Sequence, residues 1–314
     1  MNGTAYSSPR DSVIAMPATA VLGCFDGVHI GHRSLLREAV RRCALWGTRP
    51  LIVSFEEPPA FSFGNGGKLL TDTEERRALF AACGIADAVF LRFSEVRNLS
   101  AEIFLREILR GRYAVDSAVC GYNFTFGKDR SGTPETLRRF FGDRVCVCPP
   151  VAYEGTAVSS SRIRAALSEG NLRDANAMLG RPFSLSGIPE KGRGDGTALG
   201  TPTANIFPAD GRAVPAAGVY VTEVLRHRDG TVFRAVTDAG LAPTMDTTGR
   251  YRLESHLFGF SGSLYGEPLT VRFLSRIRDE QRFSSPSALQ SAIAADIAAA
   301  TAFFAKRSDK ESTL

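Results

Sequence analysis

No uninterrupted apolar run in the 314 residues approaches the about 20 that a membrane-crossing helix requires, so no membrane span is expected. The opening stretch, MNGTAYSSPRDSVIAMPATAVLG, lacks the Lys/Arg-then-apolar order of a signal peptide, and residues 1–18 read as a leader. Cysteine is sparse: six are scattered at 24, 43, 83, 120, 146 and 148, with no CxxC pair and no His/Cys cluster at zinc spacing. Cys146 and Cys148 alternate within RVCVCP, on one face of an expected strand. Free thiols in a reducing compartment are the expectation, which places the chain in the cytoplasm. No long basic block carries interleaved aromatics. The net charge of +5 comes from 38 Lys+Arg against 33 Asp+Glu, an excess that suits phosphate-bearing small molecules better than nucleic acid. Internal repeats and low-complexity segments are missing too.

What is present is a chain with 44% hydrophobic residues, enough for substantial cores and of a length that suits two domains. ATAVLG, PLIVSF, DAVFLRF, YAVDSAVCG and DRVCVCPPV read as short strands. Between them lie amphipathic helices: HRSLLREAVRRCALWG, TDTEERRALFAACG with Thr71 as N-cap and Glu74 at capping-box spacing, SAEIFLREILRG between Ser100 and Gly111, and TPETLRRFFG with Pro134 at its first position. Alternating strands and helices predict a parallel sheet covered by helices, an α/β domain over residues 19–183. From residue 184 to 310 the texture changes. A Gly/Pro/Thr-rich segment precedes GVYVTEVLRH, TVFRAVTDA, YRLESHLFGF and EPLTVRFLSRIR, which read as antiparallel strands, with Asp229-Gly230 a hairpin turn. A long helix, SPSALQSAIAADIAAATAFFAKR, ends the expected β-barrel domain.

The densest chemistry lies in GCFDGVHIGH, where the first strand runs into the first helix. Ligands bind beyond the carboxyl ends of strands in such sheets, and a helix start favours phosphate. Gly23, Gly27 and Gly31 permit tight turning, while His29 and His32, half of the chain's four histidines, can hydrogen-bond phosphate oxygens. The segment resembles the HxGH signature of the nucleotidylyltransferases. In its longer form it resembles the N-terminal module of the bacterial bifunctional riboflavin kinase/FAD synthetases, through Gly23, Phe25, Asp26, Gly27, Val28, His29, Gly31 and His32. The resemblance implies a Rossmann-like nucleotidyltransferase sheet in which His29 and His32 bind ATP phosphates and stabilise adenylyl transfer to FMN.

Two further segments are similar to the same family. CGYNFTFGKDRSG offers Asn123, Phe124, Phe126, Gly127, Arg130 and Gly132, implying part of the flavin and nucleotide pocket; its aromatics can also be read as a buried turn. VSSSRIRAALSEGN sets hydroxyls and arginines at a helix start, where Ser159 or Ser160 can cap. By the resemblance Ser160, Ser161, Arg162 and Arg164 close on the triphosphate, Arg162 with a catalytic part.

Residues 180–207 resemble the riboflavin kinase module: Gly-Arg-Pro-Phe, glycines at 187, 192 and 196, then Leu-Gly-Thr-Pro-Thr-Ala-Asn. This implies that Gly192 and Gly196 wrap nucleotide phosphates and that Thr203 and Asn205 hold Mg²⁺ with ATP. RLESHLFGF resembles the segment that carries the family's general base, which maps to Glu254. The chain departs from the family pattern at Pro58 (His expected), Thr201 (Phe), Asp238 (Asn), Ala242 (Arg) and Gly259 (Asp or Asn). The expected function is phosphorylation of riboflavin to FMN and adenylylation of FMN to FAD. Substrates and products are then ATP, riboflavin, FMN and FAD, with Mg²⁺ and without nucleic acid or membrane partners. The competing readings are an FMN adenylyltransferase with an impaired kinase domain, an enzyme acting on another phosphate ester, and a catalytically silent flavin- or nucleotide-binding regulator.

Overall fold

The structure, a computed structural model, describes residues 16–58, 61, 67–190, 203–241 and 250–311. Gly192, Gly196, Thr201 and Ala242, together with the leader up to residue 15, lie outside the described residues. The chain divides into two compact units, one of residues 1–25, 32–65 and 73–150, the other of residues 26–31, 66–72 and 151–314.

The first unit is built on a five-stranded sheet. Its strands are β1 (Ala18–Leu22), β2 (Arg49–Phe55), β3 (Ala88–Leu91), β4 (Val115–Gly121) and β5 (Val145–Cys148), in the order β3-β2-β1-β4-β5. All four pairings are parallel, as the alternation of strands and helices predicts. Ala18, Ala20, Leu22, Ala118 and Cys120 share one hydrophobic cluster with Phe104, Leu105, Leu109, Leu137 and Phe141. Val21, Ile52 and Val119, on the alternate face of their strands, are equally buried, so both faces are covered. A hydroxyl chain crosses the centre of the sheet: Thr19 Oγ1 bonds Thr48 at 2.6 Å and Ser117 at 2.7 Å.

The helices of this unit are α1 (Ile30–Trp46, of which residues from 32 on belong here), α2 (Thr73–Ala81), the single turns α3 (Phe93–Val96) and α4 (Ala101–Ile103), and α5 (Pro134–Phe141). Ser100 caps α4 as expected, accepting the Ile103 N–H. Gly111 does not end that helix, which runs on from Phe104 to Arg112 in wider π-type turns. Helix α2 starts at Thr73, so Thr71 is not its cap.

The second unit holds the hairpin β6 (Ala152–Tyr153) and β7 (Thr156–Ala157), then α6 (Ser160–Ser168) and α7 (Leu172–Leu179). After these come β8 (Phe183–Gly187), β9 (Pro189–Glu190), β10 (Ala204–Ile206), β11 (Gly218–Arg226), β12 (Val232–Leu241), β13 (Tyr251–Leu257), β14 (Leu269–Asp279) and α8 (Pro286–Glu311). The last seven strands form an antiparallel half-barrel in the order β8-β14-β11-β12-β13-β10-β9. Gly230 sits at φ 72° in the expected β11–β12 turn, and Asp229 accepts from Arg226 at its root.

The larger core of this unit joins its helices to one face of the sheet. Leu70, Ile163, Leu167, Met178 and Leu179 belong to the same cluster as Leu185, Tyr220, Leu253 and Phe273 of the sheet. Helix α8 lies over the other sheet face, where Ala300 and Phe304 join Val219, Val221 and Val236. Within α8, Pro286–Ser308 has a mean hydropathy of 1.5 and is long and apolar enough to cross a membrane by length and composition alone. Alanine supplies that hydropathy without a strict apolar run. The buried Asp296 of the same helix takes two hydrogen bonds from Arg278, at 2.9 and 2.8 Å, which docks it to the sheet.

Candidate functional site

In the first unit the strand order places the chain reversal between β1 and β4, the switch point at which open α/β sheets bind ligands. Two of the sequence motifs leave the sheet there. Gly23, Cys24 and Phe25 follow β1, and Tyr122, Asn123 and Phe124 follow β4. Phe25 is fully buried at φ 53°, a left-handed conformation that costs about 1–3 kcal/mol for a bulky residue. Its ring meets His32 at 5.2 Å and Phe80 at 5.5 Å, both edge-on. Gly23 is required by that ring, because a Cβ on it would lie 2.9 Å from the Phe25 side chain.

In the β4–α5 connection Phe126 is buried, stacks on Phe124 at 5.7 Å and touches Phe104, while its backbone exchanges two hydrogen bonds with Gly132. A Cβ on Gly132 would stand 2.6 Å from the Phe126 ring. Asn123 and Arg130 are exposed, and Arg130 follows Asp129 through two left-handed residues. Phe126 therefore belongs to the core, whereas Asn123 and Arg130 present their polar groups to solvent. Pro58, at the departure from the family pattern, accepts the Phe61 N–H through its carbonyl.

The loop of residues 26–31 packs in the second unit, where the three backbone carbonyls of residues 26–28 and the Gly27 N–H all meet partners. Asp26 Oδ1 accepts the N–H groups of Leu70 and Thr71, and Asp26 Oδ2 accepts from Arg164 at 2.6 Å. Ser160 Oγ donates to the Asp26 carbonyl at 2.8 Å. The Gly27 N–H donates to Thr71 Oγ1, which explains why this threonine is not spent as a cap. Arg181 donates to the carbonyls of Gly27 at 2.8 Å and Val28 at 3.3 Å. Val28 is fully buried at φ 37°, rare for a β-branched residue. His29 is buried, and burial with the nearby Arg181 charge lowers its pKa to about 4, so the ring is neutral at pH 7. Gly31 accommodates that ring, since a Cβ there would lie 3.2 Å from it.

Helix α6 is capped by Ser159, which accepts the Arg162 N–H. Arg162 itself donates to the carbonyls of Thr156, Ala157 and Tyr153 in the hairpin before it, and Ser161 is exposed. The sequence offers Asp26, Arg164 and Ser160 for a ligand; in the structure Ser160 donates to the Asp26 carbonyl and Arg164 to its carboxylate.

The second motif group sits across β10, β13 and β12. Asn205 pairs with Glu254, and Glu254 with Asp238, so the three side chains share a face. Thr203 Oγ1 donates to Glu254 Oε1 at 2.9 Å and Arg252 contacts Oε2 at 3.0 Å. Two of the carboxylate's roughly four lone-pair positions remain for another donor. Asp238 Oδ1 is buried with no hydrogen-bond partner among the described residues. Burial, followed by the charges of Glu280 and Glu254, raises its pKa to about 6. Gly259 has φ 69° and open space around it, a conformation that glycine, Asn and Asp all adopt, so its departure from the family pattern is conservative in backbone terms. Among the described residues no three His, Cys, Asp or Glu side chains form a metal cluster. Thr203, Asn205 and Glu254 are oxygen donors, which fits Mg²⁺, an ion that keeps waters and binds through few protein ligands plus phosphate oxygens.

Two residues of these arrangements escaped the sequence. Arg181 stood in view within Gly-Arg-Pro-Phe, but no local signal links it to Gly27 and Val28. Arg76 is fully buried and donates to the carbonyls of Cys24, Phe55 and Glu56 at the ends of β1 and β2; in sequence it is one of many helical arginines.

Comparison with known proteins bears on both halves of the chain. The FAD synthetase family model matches residues 12–162 and the riboflavin kinase family model residues 179–304. A bifunctional riboflavin kinase/FMN adenylyltransferase of Pseudomonas fluorescens is 36% identical, over 91% of this chain and 93% of its own length. The protein of the same description in Escherichia coli K12 is 32% identical over 90% and 91%. A crystal structure of a macrolide-efflux protein from Streptococcus pneumoniae superposes with a TM-score of 0.82 at 32% identity, covering 92% of this chain and 95% of that one.

Proposed function

The chain belongs to the bacterial bifunctional riboflavin kinase/FMN adenylyltransferase family, and from that premise we propose how its residues divide the two reactions. The enzyme phosphorylates riboflavin to FMN and adenylylates FMN to FAD, using ATP and Mg²⁺. Its partners are small molecules, and its location is that of its cytoplasmic relatives.

The kinase reaction is assigned to residues 184–310. A terminal riboflavin hydroxyl attacks the γ-phosphorus of ATP, ADP leaves, and Glu254 accepts the hydroxyl proton. The observation that carries this assignment is the carboxylate held from two sides, by Thr203 at 2.9 Å and Arg252 at 3.0 Å. Those bonds fix its orientation and leave lone pairs for the alcohol. Thr203 and Asn205 are the residues that would hold Mg²⁺, which when bound neutralises phosphate charge. Gly192 and Gly196 are assigned to the phosphates of the same nucleotide.

The adenylyl transfer is assigned to residues 19–183. An FMN phosphate oxygen attacks the α-phosphorus of ATP and pyrophosphate leaves. The position of Gly23–Phe25 and Asn123–Phe126 at the switch point supports this reading. His29 and His32 serve as hydrogen-bond donors to the triphosphate; His29, neutral at pH 7, acts through its N–H rather than a full charge. Asn123, Phe124 and Arg130 are assigned to the flavin and nucleotide wall, with Phe126 supporting them from the core, and Ser161 and Arg162 are assigned to the phosphates. Gly23, Phe25, Asp26, Gly27, Gly31, Ser160 and Arg164 keep the loop in shape for that contact.

The test is a chromatographic product assay with Mg²⁺ and ATP, offering riboflavin in one reaction and FMN in another. Replacing His29 and His32 together by Asn should lower FAD formation by about 100-fold or more and leave FMN formation unchanged. Glu254→Gln should do the reverse, by about 100- to 10,000-fold. Equal loss of both products in either variant would sink the division.

A further inference from the structure

We propose that Arg181, from the segment matched by the riboflavin kinase family, is a positioning residue for the adenylyltransferase loop: its guanidinium holds the consecutive carbonyls of Gly27 and Val28 and so fixes the backbone that presents His29. The inference rests on the reading of His29 as a triphosphate ligand.

Gly27 at φ 81° and Val28 at φ 37° are successive left-handed residues. Such a pair turns its carbonyls in directions that no helix or strand ladder satisfies, and for valine the conformation carries strain. Both residues are buried, so unpaired carbonyls there would be costly. One planar guanidinium meets both acceptors, and it also reaches the Leu179 carbonyl at 3.4 Å at the end of α7. Arg181 directly follows Gly180, the left-handed C-cap that ends α7, and leads through Pro182 into β8. Its backbone is thereby fixed on both sides. Leu179 completes the contact, since a Cβ on Gly27 would lie 3.5 Å from its side chain and 2.8 Å from that of Leu70.

Burial alone disfavours a charged His29, and the Arg181 cation disfavours it further. Arg181 thus fixes the path of the loop, and its charge adds to burial in keeping the ring that follows neutral. A neutral imidazole needs no deprotonation before meeting ATP, but its donor must point correctly, and orientation is what the carbonyl clamp supplies. The consequence is that the adenylyltransferase apparatus extends beyond residue 162, where its own family match ends.

The experiment compares full-length Arg181→Met, Arg181→Lys and His29→Asn with the unsubstituted enzyme. FAD formation from FMN and FMN formation from riboflavin are measured alongside histidine ring titration by NMR, with the His29 signal identified by its loss in His29→Asn. Arg181→Met should cut kcat for FAD formation by about 10- to 100-fold, hold riboflavin phosphorylation within about twofold, and move the His29 titration upward from about 4. Arg181→Lys keeps the charge without the two-carbonyl geometry, so the His29 titration should stay low while FAD formation recovers in part. Riboflavin phosphorylation reports folding in the same sample. Loss of both activities to the same extent in Arg181→Met would overturn the proposal, as would normal FAD formation in it while His29→Asn is inactive. Normal FAD formation in His29→Asn would instead overturn the reading of His29.

Discussion

Arg164 donates to the Asp26 carboxylate at 2.6 Å, with the Asp26 side chain 4% exposed and that of Arg164 24%. The same carboxylate accepts the N–H groups of Leu70 and Thr71, so one buried charge joins residues 26, 70, 71 and 164. Asp26→Ala removes three acceptor interactions and leaves a guanidinium without its anion. The expected loss is about 3–5 kcal/mol of stability, measured by urea denaturation. A double-mutant cycle with Arg164→Ala should return a coupling of at least about 1 kcal/mol; additivity would show that the pair contributes nothing beyond its separate bonds.

The buried His29 and the half-buried Asp238 give opposite pH dependences over nearly the same range. His29 falls from 6.5 to about 4 on folding, so the unfolded chain binds the extra proton, and stability is present above pH 6.5 and lost as pH falls toward 4. Asp238 rises from 3.8 to about 6, so the folded chain binds the extra proton, and stability is present below pH 3.8 and lost as pH rises toward 6. Each amounts to about 3 kcal/mol at full extent, and in the unsubstituted protein the two largely cancel. Asp238→Asn should therefore be more stable than the parent at pH 8 and should gain stability as pH rises from 4 to 6.5. His29→Asn should show the falling slope of Asp238. Parallel pH profiles for parent and Asp238→Asn would refute this.

Arg76 makes its bonds at 3.2, 2.8 and 2.6 Å to the carbonyls of Cys24, Phe55 and Glu56, and its guanidinium lies 4.8 Å from the Phe90 ring centre. Arg76→Met keeps much of the volume and leaves these acceptors unmet. A destabilisation of about 2–4 kcal/mol is expected, visible as a lower midpoint in thermal unfolding, with FAD formation falling more than FMN formation.

Gly132→Ala places a methyl group 2.6 Å from the buried Phe126 ring. The ring must move against Phe124 and Phe104, at a cost of about 1–3 kcal/mol. The KM for FMN in adenylylation should rise and the KM for riboflavin in phosphorylation should not; equal effects would remove the 121–132 segment from the flavin wall.

Local features were legible wherever the cause was local. Ser100 and Ser159 cap their helices because a hydroxyl before an amphipathic run meets free N–H groups. Asp229-Gly230 makes its turn because glycine accepts φ 72°. Thr71 had the same local credentials as a cap, yet the Gly27 N–H claimed its oxygen and the helix opened two residues later. Gly111 has the local character of a stop, but the helix widens into π-type turns from Phe104 and passes through it.

By itself, the chain's order of residues determined the alternation that makes a parallel sheet, the shift to antiparallel strands, and the motifs that mark the family. Each depends on periodicity or on residue types adjacent in the chain. The tertiary structure decided which of the motif's polar groups bond one another across the chain. Ser160, Asp26 and Arg164 have the right chemistry for a phosphate site, and long-range packing joins them to one another across more than 130 positions. Arg181 and Val28 stand 153 residues apart and meet only because Leu70, Leu179 and the half-barrel strands share one core. Spacing along a chain cannot encode such meetings, because burial and hydrogen-bond completion are settled only when the whole core has formed.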